Sequence, residues 1–126
     1  MRWVLRSKIH KATVTEANPA YIGSITIDEG LVEKAGLIQG ERVLITSNHS
    51  GARLETYIIL GARDSGTICM NGAAAHLIKA GEEIIIMGFE LSEGPITPTM
   101  FLVDRQNKFV RYLANETPGT VIKERT

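Results

Sequence analysis

Ser24 follows Gly23 within the run Tyr21-Ile22-Gly23-Ser24-Ile25-Thr26-Ile27-Asp28, and a serine hydroxyl held against the carbonyl just before it can attack that carbon. The attack turns the amide into an ester. Elimination from the ester gives dehydroalanine, and hydrolysis leaves a pyruvoyl group made from the serine itself. Glycine suits the preceding position because it lacks a Cβ and reaches backbone angles that other residues avoid. The same dipeptide also serves as an ordinary turn or a kink in a strand. Arg53 can grip a carboxylate through paired N–H bonds, Lys8 is a compact point charge, and Tyr57 offers a phenol as general acid. Each has a plain structural reading too, as a solvated strand cation or a strand tyrosine.

Four segments occur together and in order: Lys8-Ile9-His10-Lys11-Ala12-Thr13-Val14-Thr15, Tyr21-Ile22-Gly23-Ser24, Arg53-Leu54-Glu55-Thr56-Tyr57 and Asn71-Gly72-Ala73-Ala74-Ala75-His76. In combination they resemble the pyruvoyl-dependent aspartate 1-decarboxylase family. The resemblance implies self-cleavage into residues 1–23 and 24–126. Ser24 becomes the pyruvoyl group, which forms an imine (a Schiff base) with L-aspartate and accepts the electrons released as CO2 leaves. The product is β-alanine, a precursor of pantothenate and coenzyme A. By the same resemblance Thr56 and Asn71 assist processing, and Lys8, Arg53 and Thr56 contact substrate. Tyr57 returns the proton after decarboxylation, and His10 and Tyr21 lie near the reactive bond. For His10 a structural strand role stays equally open. Gly72, Ala73 and Ala74 are small enough for backbone N–H groups to approach a carboxylate or oxyanion.

The resemblance further implies a six-stranded double-psi β-barrel and a homotetramer with active sites between neighbouring subunits. Asn18-Pro19-Ala20 departs from the commoner family pattern, in which a leucine and polar residues often precede the tyrosine. The proline stiffens the approach to the cleavage site. Two other readings stand beside this one: a non-catalytic double-psi-barrel binding module, and a pyruvoyl decarboxylase for another amino acid.

Strands must position these groups. Alternation marks residues 9–15 and 21–27, and further strand signals cover 43–46, 54–60, 67–70 and 83–89. A hairpin is expected from 100–104 and 108–113, around Arg105-Gln106-Asn107. Residues 28–36 read as a short helix with Asp28 as N-cap and Gly36 as C-terminal glycine. Thr56 and Tyr57 are adjacent and point to opposite faces of a regular strand. The strand is therefore bulged there, or the two residues serve different stages or different sides of an interface. A weak repeat relates residues 37–45 to 77–86, with one inserted residue before the second glycine. A closed barrel with approximate twofold symmetry would explain it.

The 126 residues suit one domain, and the tail from 115 to 126 is expected to be mobile. Basic and acidic side chains number 14 each, a balance that argues against nucleic-acid binding. Arg2, Arg6, Lys8, His10 and Lys11 crowd the N-terminus and read as a solvated strand face, apart from Lys8 and His10. The single cysteine, Cys69, forms no intrachain disulfide and reads as an inert core thiol in an intracellular protein. No signal peptide or membrane helix is expected, so the location is taken as cytoplasmic. No His, Cys, Asp and Glu spacing resembles a zinc site, so no metal is expected. No phosphate-cradling glycine loop offers a seat for pyridoxal phosphate.

Overall fold

The computed structural model describes residues 1–114 and 116–123. The fold is mainly β with two short helices: β1 (Arg2–Thr13), β2 (Glu16–Asn18), β3 (Ser24–Asp28), α1 (Glu29–Ala35), β4 (Arg42–Ser47), β5 (Arg53–Gly61), β6 (Ile68–Asn71), α2 (Ala74–Leu77), β7 (Glu83–Ser92), β8 (Thr99–Val103) and β9 (Phe109–Tyr112). Nine strands replace the six expected, in the order β2-β6-β3-β5-β4-β7-β1-β8-β9, and the two end strands are not paired with each other. Parallel neighbours β1/β8 and β3/β5 sit among antiparallel ones.

The core is largely isoleucine, with Ile9, Ile25, Ile27, Ile45, Ile58, Ile84 and Ile86 fully buried. Each contributes about 2–3 kcal/mol of transfer free energy. β-branched side chains suit a pleated surface packed on one face.

Asp28 caps α1 as expected, accepting from the Gly30 N–H at 2.8 Å, and Gly36 ends the helix at φ 72°. The same buried carboxylate also accepts from the Asp64 and Gly66 N–H groups, so it ties the loop before β6 to the end of β3. Asn107 does similar work at the β8–β9 turn, donating to the Thr13 and Gly66 carbonyls and accepting from the Thr13 N–H.

Two expected strands are displaced. The alternation over 9–15 breaks at Lys11, whose φ of 60° accompanies a register shift between Ile9 and Ala12. Ile9 therefore shares the core with Ala12 and Val14. The strand expected from residue 21 begins at Ser24, because Asn18 closes a turn first. Its side chain accepts from the Ala20 N–H and its carbonyl from the Tyr21 N–H, with Pro19 at the favoured second position.

The repeat is real and needs no insertion. Leu37 corresponds to Ile78, both buried, and Gly40 corresponds to Gly81, both at positive φ. Gly40 N–H donates to the Ile58 carbonyl while Ile58 N–H donates to Glu41; Gly81 N–H donates to Val14 while Val14 N–H donates to Glu82. The equivalent residues Ile45 and Ile86 pair directly across β4 and β7, and Leu44↔Met87 mirrors Thr46↔Ile85. A local twofold axis therefore passes between those two strands.

Candidate active site

Ser24 opens β3 at the boundary between an exposed turn and the buried sheet. Tyr21 is 63% and Ile22 82% exposed, whereas Ser24 is 3% exposed. The Gly23–Ser24 bond thus lies where an exposed turn meets a buried strand. Antiparallel pairing sets Ser24 opposite Asn71 on β6. The Asn71 amide nitrogen donates to Ser24 Oγ at 2.9 Å and to Thr26 Oγ1 at 3.0 Å, using both of its N–H bonds. Ser24 Oγ is therefore an acceptor, and its own proton is left to point elsewhere.

Gly72 packs closely against the Gly23 backbone. Its φ is +65°, and a Cβ there would lie 2.7 Å from Gly23 Cα and 2.8 Å from Gly23 N. No side chain fits, which gives the glycine a direct physical reason. Its N–H donates to the Asn18 carbonyl at 2.9 Å, so that group is already committed. Ala73 and Ala74 begin α2, which has no side-chain cap at its start.

Register decides the faces of β5. Ile25 pairs with Ile58 and Thr26 with Ile59, so Tyr57, one residue earlier, stands level with Ser24 on the side opposite the isoleucine core. Thr56 lies on the core-facing row with Leu54 and Ile58. The β4–β5 ladder runs unbroken through Thr56 and Tyr57, which rules out a bulge at that pair. Arg53 shares Tyr57's face but lies about 13 Å earlier along the strand, in a cleft of about 900 Å³ lined also by Trp3, Leu44, Glu55 and Phe89.

Lys8 sits on β1, four places along the sheet from β3. Its ammonium pairs with Glu116 at 2.6 Å, and Lys11 donates to the Ile122 carbonyl. Among the described residues no hydrogen bond or ion pair joins Lys8 or Arg53 to Ser24. The tail expected to be mobile is bonded to β1 at Glu116 and Ile122; Asn115 and residues 124–126 lie outside the described residues. His10 is partly buried, and its Nδ1 is enclosed without a hydrogen-bond partner among the described residues. Burial, reinforced by the Lys8 and Lys11 charges and opposed by Glu116, holds its pKa below the usual 6.5.

The sequence assigned no site role to four residues of this neighbourhood. Thr26 shares the Asn71 amide, Asn18 holds Gly72, Cys69 contacts Asn71, and Glu116 occupies Lys8. Thr26 and Cys69 could have been found from the period of two along their strands, since each lies two residues from a flagged one. Asn18 and Glu116 have no local signal of that kind. No group of three or more His, Cys, Asp and Glu among the described residues could hold a metal ion. Among them, no helix is long and apolar enough to cross a membrane.

The family model described as aspartate decarboxylase matches residues 1–110. Over 125 residues the chain is 50% identical to an aspartate 1-decarboxylase of Bacillus pumilus (strain SAFR-032). The match covers 96% of this chain and 98% of that one. It is 45% identical to those of Bacillus subtilis (strain 168) and Bacillus cereus (strain B4264), with the same coverage. Among solved structures, a computationally designed protein, msDPBB_sym2, aligns at a TM-score of 0.42 and 18% identity, covering 68% of this chain and 98% of that one. The chain belongs to the aspartate decarboxylase family.

Proposed function

We propose that this chain is a self-processing decarboxylase that converts L-aspartate to β-alanine and CO2, feeding pantothenate and coenzyme A synthesis in the cytoplasm. The observation that carries the reading is the buried Ser24 hydroxyl, held by Asn71 at 2.9 Å beside a Gly23 backbone against which only a glycine at 72 can pack. Ser24 Oγ bonds to the Gly23 carbonyl carbon, the C–N bond breaks, and the amide nitrogen takes the proton. Loss of the Ser24 α-proton then expels the Gly23 carboxylate. Addition of one water releases ammonia and leaves a ketone at residue 24.

The residues present fit such a group. Asn71 can keep its bond to residue 24, and Gly72 leaves the room that a Cβ would fill. When formed, the ketone supplies an electron sink for the electrons that the departing carboxylate leaves behind. This chain's side chains do the rest. Tyr57, level with residue 24 on the same face, delivers a proton to the former α-carbon. Arg53 and Lys8 hold the two carboxylates, and Ala73 and Ala74 offer backbone N–H groups. Thr56, on the other face of β5, belongs to processing and to substrate contact across an interface. The separation of Lys8 and Arg53 from Ser24 within one chain supports sites that lie between subunits, in an assembly that this reading takes to be a homotetramer.

The test is the intact mass of the purified protein together with CO2 release from L-aspartate and from other amino acids. Two chains dividing at Gly23–Ser24 and activity on aspartate are expected. An unmodified single chain, or preference for another amino acid, would overturn the reading.

A further inference from the structure

Asn71 can face Ser24 with either end of its amide, and the two ends do opposite things to the hydroxyl. With the nitrogen forward, Ser24 Oγ accepts a bond and keeps its proton free for a base. With the oxygen forward, the hydroxyl would donate to Asn71 and lose that freedom. Ser24 and Thr26 do not decide between them, because a hydroxyl accepts or donates equally well. The deciding contact lies behind the amide. Cys69 is two residues before Asn71 on β6, on the same face, and its thiol is 3.0 Å from Asn71 Oδ1. A thiol is both a weak donor and a weak acceptor; here its S–H is directed at the amide oxygen, which leaves the NH2 group facing Ser24 and Thr26.

We infer that Cys69 is a positioning residue for self-cleavage: its S–H bond to Asn71 Oδ1 fixes the amide with its nitrogen toward Ser24. The inference rests on the self-processing reading above. The thiol stays protonated for this task. Burial, with the Glu16 carboxylate 3.4 Å away on β2, pushes its pKa up to about 11. Glu16 also competes for the same proton, at the longer distance. A buried thiol that would otherwise be filler thus becomes the donor that orients the polar anchor.

Two variants and one spectrum test it. Cys69→Ala removes the donor, and processing followed by intact mass should slow about three- to tenfold, the worth of one neutral hydrogen bond. Cys69→Ser keeps a donor and should process within about twofold of wild type. Cleavage of Cys69→Ala at the wild-type rate overturns the inference, and so does equal slowing of both variants, which would mark a packing role. Cys69 is the chain's one cysteine, so the S–H stretching band of freshly prepared precursor reports this thiol alone, with Asn71 Oδ1 its nearest acceptor and Glu16 the more distant one. Asn71→Ala should move that band, and an unmoved band also overturns the inference, even if Cys69→Ala fails to fold. A wild-type chain that never splits instead refutes self-processing and leaves the spectrum as the test of Cys69.

Discussion

Replacing Gly72 by alanine perturbs the cleavage site without touching a reacting atom. The new Cβ would meet Gly23 Cα at 2.7 Å and the Tyr21 carbonyl oxygen at 3.0 Å. Ordinary contact begins near 3.4 Å, so the Gly23 backbone must retreat by about 0.7 Å. The positive φ adds a separate cost of about 1–2 kcal/mol for a residue with a side chain, or a fall of roughly 3–8 °C in Tm for a chain of this length. These two effects have different consequences. Dihedral strain lowers stability, whereas displacement moves the carbonyl away from Ser24 Oγ, and misplacement on this scale costs about 100-fold in rate. Gly72→Asn separates them, because asparagine tolerates positive φ yet carries the same Cβ. Both variants should process about 100-fold more slowly by intact mass over time, with Gly72→Asn retaining more of the wild-type Tm. If either folded variant splits at the wild-type rate, close packing of residue 72 against Gly23 is not what holds the bond in place.

Tyr57→Phe should leave cleavage intact and lower kcat on aspartate by at least about 100-fold, the usual worth of a positioned general acid; lost cleavage would contradict the division of roles between Thr56 and Tyr57. Glu116→Gln removes a carboxylate that competes for Lys8 and should lower KM for aspartate, while stability changes by less than about 1 kcal/mol because Glu116 is well exposed. His10 titrates lower in the folded chain than in the unfolded one. The unfolded state therefore binds the proton first as pH falls below about 6.5, and stability should drop through that window and level off beneath the folded pKa. His10→Gln should flatten this part of a Tm-against-pH curve.

Part of the candidate site was legible because its residues are defined by what they are chemically. Ser24 after Gly23 and Asn71 before Gly72 need no coordinates to be singled out, and the structure brings these together; Lys8 and Arg53, singled out in the same way, it does not bring to Ser24. The helix at 29–35 was equally plain, since Asp28 and Gly36 satisfy its two ends by rules that are local in sequence. What escaped depends on partners distant along the chain. Nothing around Lys11 announces the bulge that shifts Ala12 and Val14 into register with Ile9. The turn held by Asn18 shortened β3 because its Asx bond outcompeted the alternating pattern of residues 21–23. Four-residue α2 lies inside a stretch that reads as a small-residue cradle, and it is too short for a periodic signal. The repeat was misaligned by one residue because Leu77 resembles Leu37 in type, whereas burial pairs Leu37 with Ile78. Tail contacts to Lys8 and Lys11 span more than 100 residues and leave no trace in composition.

The central claim is that Ser24 consumes its own peptide bond, and intact mass of the denatured wild-type protein tests it most directly. The account predicts two chains, residues 1–23 and 24–126, the larger one lighter by one ammonia than a chain beginning with serine, and no splitting in Ser24→Ala. A wild-type chain that remains whole after prolonged incubation, or one that splits and keeps an amine at residue 24, would contradict it.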